Sequence, residues 1–98
     1  MYLLFYKKQW VVYIIKFKIK GEIRYYTGYS SRPKQRFREH REARGANILK
    51  YADKIFGMSL IDEYRQRKMA MKKEKEIKKM AKNNKKLLYE KGKKVNDF

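Results

Sequence analysis

Residues 10–19, WVVYIIKFKI, alternate with the two-residue period of a β-strand. Val11, Tyr13, Ile15, Phe17 and Ile19 share one face, and Lys16 and Lys18 point away from it. Val12 and Ile14 make the second face apolar as well, but only over the first half. A strand covered on both sides at one end and wet at the other has this pattern. Lys20-Gly21 offers a tight turn, and Glu22 to Thr27 (EIRYYT) returns as a second β-rich run. The two runs predict a hairpin ending at Gly28, and Met1 to Tyr6 is a candidate edge strand.

Ser30 and Ser31 are N-cap candidates, and Pro33 suits the first turn of a helix. That helix is expected from about Arg32 to Ala43, stopping at Gly45, with Phe37 facing inward. Asn47 can cap a second helix, ILKYADKIF, ending at Gly57, and Met58 to Tyr64 holds a short β-like run around Leu60-Ile61. From Arg65 the composition shifts: residues 65–94 carry fourteen Lys or Arg against three Glu, in a helix-favouring context. Asn83 and Asn84 are expected to divide this segment into helices 65–81 and 84–91. A frayed tail is expected from Gly92. Ninety-eight residues leave too little chain for a second core, so one domain is expected over 1–98, with its core at about 9–91.

Charge changes the picture more than composition does. Twenty-eight Lys and Arg against ten Asp and Glu give +18, a surface that repels itself unless it meets a polyanion. Nucleic acid is the usual polyanion, so charge names a partner class without naming an activity. With no cysteine, disulfides, thiolate metal sites and cysteine nucleophiles are excluded. No apolar run approaches the roughly 20 residues of a membrane span, and the N-terminal stretch lacks the parts of a signal peptide. A soluble, cytoplasmic protein with no membrane partner is expected.

The candidate chemistry is sparse. Arg36 and His40, the one histidine, are four apart and share a face of the first helix. Glu74 aligns with Ala70, Ile77 and Ala81, the apolar stripe of the third long helix, whereas Glu76 sits among Lys72, Lys73, Lys79 and Met80. A carboxylate on an inward stripe needs a metal, a partner or a shielding lysine stem, because burying it bare is costly. Tyr13, Tyr25, Tyr26 and Tyr29 cluster on or just after the hairpin, as strand-pairing residues or as phenols able to reach a phosphate. There is no GxGxxG, Walker loop or HExxH, so no small-molecule cofactor is expected. The acidic residues are too few for a multi-carboxylate two-metal site, so any metal would be held by one carboxylate, water and substrate.

Together these positions resemble the GIY-YIG nuclease superfamily, in its small single-domain branch. Val11-Val12-Tyr13 is similar to the first motif, with Val11 in place of its glycine, and Tyr26-Thr27-Gly28 is similar to the second. Arg36 and His40 fit the arginine and the His or Tyr on the following helix, and Glu74, within Lys73 to Lys79, fits the metal-binding glutamate. Asn96 stands where an asparagine often follows. Tyr29 replaces a lysine found in some relatives. The resemblance implies an α/β (α+β) fold, with a small three-stranded, mainly antiparallel sheet flanked by helices. It also implies a metal-dependent nuclease acting on DNA, endonuclease before exonuclease. Tyr13 would act as or position the base, Tyr26 would hydrogen-bond nearby, and Arg36 would bind the scissile phosphate. His40 would assist proton transfer or orient the nucleophile, and Glu74 would hold one Mg²⁺ or Mn²⁺.

Arg32, Lys34 and Arg38 on the first helix, and Lys72, Lys73 and Lys78 on the third, are the candidates for holding the nucleic-acid backbone. A domain this small shows no obvious specificity module, so targeting by DNA shape or by a protein partner is the expectation. The rival expectation is a non-catalytic basic nucleic-acid-binding module with the same fold. It predicts salt-sensitive binding that is indifferent to metal.

Overall fold

Strand β1 (Trp10–Ile19) lies at the centre of the sheet and carries the core on both faces. The protein, a computed structural model, is described over residues 9–42 and 45–95. After β1 come β2 (Glu22–Ser30), α1 (Pro33–Arg41), α2 (Asn47–Lys50) and β3 (Lys54–Tyr64). These are followed by α3 (Arg67–Lys78), α4 (Lys82–Lys91) and β4 (Lys93–Lys94). The sheet order is β2-β1-β3-β4, with every neighbour antiparallel. The hairpin closes through Lys20 (φ 52°) and Gly21 (φ 77°), two successive positive-φ residues whose twist matches that of the flanking strands.

Tyr13, Ile15 and Phe17 pack on one face against Phe37 of α1, Leu49 of α2 and Met58 of β3. Val12 and Ile14 pack on the other against Ala70 and Ile77 of α3 and Tyr89 of α4. The two-faced pattern of β1 therefore corresponds to two helical layers. Burying a side chain of this size stabilises by about 1.5–3 kcal/mol, which makes β1 the main anchor for both layers.

Several elements depart from expectation. Among the described residues the sheet has four strands, because Lys93–Lys94 pairs with Ser59 and Leu60 where a frayed tail was expected. Val95 packs against the first core cluster, so the core extends past residue 91. The second helix covers only Asn47–Lys50, and Lys54 to Gly57 belong to the eleven-residue β3. A centrally placed β1 needs a second pairing partner, and that demand overrides the helical spacing of ILKYADKIF. The chain turns at once after α2, where the Asp53 amide donates to the Lys18 carbonyl at 2.7 Å.

The helix ends differ as well. The N-cap of α1 is Arg32, whose own amide donates to Ser30 Oγ at 2.9 Å, and the N-cap of α2 is Ala46 in place of Asn47. Helix α1 ends at Arg41 and α3 at Lys78. The break between α3 and α4 falls at 79–81, and Asn83 and Asn84 lie inside α4. Met1 to Tyr6 and Asn96 lie outside the described residues. Among the described residues no helix is long and apolar enough to cross a membrane.

Candidate active site

Cross-strand partners share a face, so the hairpin register sorts the tyrosines. Tyr13 lies opposite Gly28 and Ile15 opposite Tyr26, which puts Tyr13 and Tyr26 on the α1 side. Val12 lies opposite Tyr29, which puts Tyr29 on the α3 side. Gly28 matters through its missing side chain: a Cβ there would stand 2.5 Å from Tyr13 Oη. The phenol therefore crosses the backbone of the outer strand at the one position that lets it pass. A β-bulge in the β1–β3 pairing falls between Val12 and Tyr13, increasing the local twist where this side chain leaves the sheet.

His40 is buried behind Tyr13, and both its ring nitrogens are engaged. The Ala46 amide donates to Nδ1 at 3.2 Å, so Nδ1 carries no proton. The neutral ring therefore bears its proton on Nε2, which donates to Tyr13 Oη at 3.0 Å. The imidazole meets the Tyr26 ring edge to face at 5.5 Å and lies 5.9 Å from the Tyr13 ring. Burial, reinforced by the Arg36 charge and opposed by Glu39, lowers the His40 pKa to about 4. The ring is neutral at physiological pH.

Arg36 Nη1 donates to Glu39 at 3.0 Å, and the guanidinium lies close enough to Tyr13 for each to shift the other's titration. Partial burial works against its charge, but these two partners outweigh it and raise its pKa. Burial pushes the Tyr13 phenol well above its ordinary value, with Tyr26 and Glu74 adding to the rise, while Arg36 acts in the opposite direction. Tyr13 thus rests as a neutral phenol whose oxygen accepts from His40 Nε2, with the Arg36 charge nearby. Its own O–H is left for whatever enters the cleft.

Glu74 sits on α3 between the buried Ala70 and Ile77, with its side chain 14% exposed and Lys78 Nζ at 3.6 Å. Glu76 is exposed and pairs with Lys73 at 4.0 Å. Tyr13, Tyr26, Arg36 and Glu74 line one cleft of about 460 Å³, together with Trp10, Gly28, Tyr29, Ser30, Ser31 and Arg67. Among the described residues no three His, Cys, Asp or Glu side chains gather as a metal cage. A single hard carboxylate beside an open, solvent-accessible cleft still fits Mg²⁺ or Mn²⁺, which keep several waters and take substrate oxygens as ligands.

Arg32 and Arg36 line a neighbouring hollow with Ser30, Ser31, Gln35 and Glu39, whereas Lys34 and Arg38 are exposed on α1 and line neither. Lys72 and Lys78 are exposed on α3 and Lys73 is half-buried; none of them lines the cleft. Trp10, Ser30, Ser31 and Arg67 are the cleft residues that spacing did not single out as a site, while Tyr29 is expected only as one of the clustered phenols. For Tyr29 a signal existed, since extending the hairpin register from its turn places it diagonal to Trp10 on one face. For Arg67 there was none, because it is one cation in a segment full of them.

No curated protein and no solved structure matches the chain. A model of the GIY-YIG catalytic domain matches residues 9–87, and it covers both strands of the hairpin, α1 and the Glu74 helix. The members of that family are generally nucleases, and the chain belongs to it.

Proposed function

We propose that the protein is a metal-dependent nuclease hydrolysing DNA phosphodiester bonds, endonucleolytic cleavage being the first expectation. One observation carries the reading. Tyr13, Tyr26, Arg36 and Glu74 come from four different elements and line one cleft on a +18 protein, with His40 buttressing Tyr13 from behind.

Arg36 is the phosphate-binding group. Glu39 holds one guanidinium nitrogen, which orients the remaining donors toward the non-bridging oxygens and the charge that builds on them in the transition state. Tyr13 positions the attacking water and, once its own O–H proton has passed to solvent through the cleft, takes the water's proton as the new P–O bond forms and the bond to the leaving oxygen breaks. Removing the phenolic proton is costly in a buried site, and the His40 Nε2 donor on Oη together with the neighbouring Arg36 charge reduces that cost. His40 is a positioning residue, because both its nitrogens are committed and neither can accept the Tyr13 proton. Tyr26 packs against the imidazole and presents its phenol to the same cleft. Glu74 would hold the Mg²⁺ or Mn²⁺, which supplies charge neutralisation at the leaving oxygen when bound.

The test is nicking of supercoiled plasmid with and without Mg²⁺ or Mn²⁺, by wild type and Glu74→Ala, with DNA binding measured alongside. Cleavage that needs metal and vanishes in Glu74→Ala, while binding persists, is the expected result. Equal cleavage by both proteins, or none by either, would overturn the proposal.

A further inference from the structure

Arg67, the first residue of α3, is held in an unusual way for a surface cation. Its guanidinium lies 5.8 Å from the Trp10 ring and 5.8 Å from the Tyr29 ring, and those two rings meet edge to face at 6.1 Å. Its Nε and Nη2 donate to Tyr29 Oη at 3.3 and 3.2 Å. No carboxylate pairs with it among the described residues. An exposed arginine normally keeps much of its rotamer freedom, and here two aromatic rings and a phenol oxygen restrict it.

The direction of its free donors gives the arrangement a meaning. Guanidinium has five N–H groups in a planar fork. Tyr29 Oη takes the side edge, formed by Nε and one hydrogen of Nη2. The end-on edge, with both hydrogens of Nη1 and the second of Nη2, has no partner among the described residues. That edge matches two oxygens of a phosphate. Arg67, Trp10 and Tyr29 all line the cleft that also holds Tyr13, Arg36 and Glu74, and its 460 Å³ exceeds the needs of one phosphate group.

The geometry points to a second phosphate-binding subsite at Arg67, clamped by Trp10 and Tyr29, which takes the phosphodiester next to the one bound by Arg36. This rests on the reading of the cleft as a nucleic-acid site, but not on cleavage. Arg36 and Arg67 reach the cleft from opposite sides of the sheet, so two successive phosphates would be gripped from two helical layers. A strand so held is fixed in direction as well as in position, which a single cation cannot achieve. Tyr29 and Trp10 are positioning residues that act through Arg67.

The test uses the full chain carrying Glu74→Ala, which keeps oligonucleotides intact. Binding of a short single-stranded deoxyoligonucleotide is followed by anisotropy over a salt series, with fluorescence of Trp10, the one tryptophan, as a local report. Arg67→Gln is expected to weaken binding about tenfold and to reduce the slope of log K against log salt by about one phosphate contact. Arg65→Gln removes the same charge from an exposed position outside the cleft and is expected to cost less than about twofold. Tyr29→Phe removes the acceptor but keeps the ring. It should cost about threefold alone and add little to Arg67→Gln, an interaction that general loss of charge does not produce.

Equal losses in Arg67→Gln and Arg65→Gln, or no loss in either, overturn the subsite. So does additivity of Tyr29→Phe with Arg67→Gln. Failure of every protein to bind DNA overturns the nucleic-acid reading along with the subsite, whereas strong binding with Arg67 silent overturns the subsite alone.

Discussion

Acidification probes the buried imidazole more directly than any truncation. His40 is 1% exposed, and its pKa falls from 6.5 to about 4 because burial, and then the Arg36 charge, disfavour the cation, with Glu39 opposing. Protonation would also put a hydrogen on Nδ1, directly against the Ala46 amide that now donates to it. In the unfolded chain the ring takes up its proton near pH 6.5; in the folded protein it does so only near 4. Between those values the unfolded state binds more protons, so stability falls as pH falls. The contribution is complete above 6.5 and gone below about 4.

A shift of that size is worth at most about 3 kcal/mol, and solvent in the adjoining cleft screens it to about 2 kcal/mol. The assay is urea unfolding, followed by circular dichroism, at about pH 7, 6, 5 and 4, for wild type and His40→Gln. Glutamine can accept from Ala46 and donate to Tyr13 but does not titrate, and the carboxylates and net repulsion are common to both proteins. Wild type should lose about 2 kcal/mol more than the variant over this range. Parallel curves would refute the assignment of a neutral, doubly hydrogen-bonded imidazole.

Two further outcomes follow from single contacts. Gly28→Ala places a methyl group 2.5 Å from Tyr13 Oη and 2.7 Å from Cζ, so the phenol must move. Cleavage should fall about 100-fold with little change in DNA affinity, and unchanged kinetics would show that the close approach is not needed. Thr27 Oγ1 is buried with no hydrogen-bond partner among the described residues. Thr27→Val, nearly isosteric, should therefore stabilise by about 1 kcal/mol in thermal unfolding, and a clear loss of stability would mean that the hydroxyl has a partner.

How much the sequence disclosed depends on whether the controlling forces were local. The hairpin was legible because alternation and the Lys20-Gly21 turn act over a few residues. Lys54 to Gly57 were misassigned because ILKYADKIF has acceptable helical spacing, and only the open side of β1 makes it a strand. The clue lay in β1 itself, whose two apolar faces imply a central strand with two neighbours. Lys93–Lys94 was illegible, since a two-residue strand has no periodicity of its own. The inward position of Glu74 over Glu76 was accessible through its alignment with Ala70 and Ile77. The clamp on Arg67 was not, because it joins residues 10, 29 and 67 through tertiary packing alone.

The cleft lies at β2 for a geometric reason. The sheet separates the α1 layer, which supplies Arg36 and His40, from the α3 layer, which supplies Glu74 and Arg67. Through the middle of the sheet, side chains of the two layers cannot meet. Around β2, the outer strand at one end of the described sheet, they can, and Gly28 removes the side chain that would bar Tyr13 from the same opening. Each layer is fixed to β1 by its own cluster of buried residues, so the distance between Arg36 and Glu74 is set by the stiffness of one shared strand. The high positive charge brings a polyanion to the surface from any direction. Among the described residues, only at this edge do an arginine from one layer, a carboxylate from the other and a phenol from the strand between them line the same cleft.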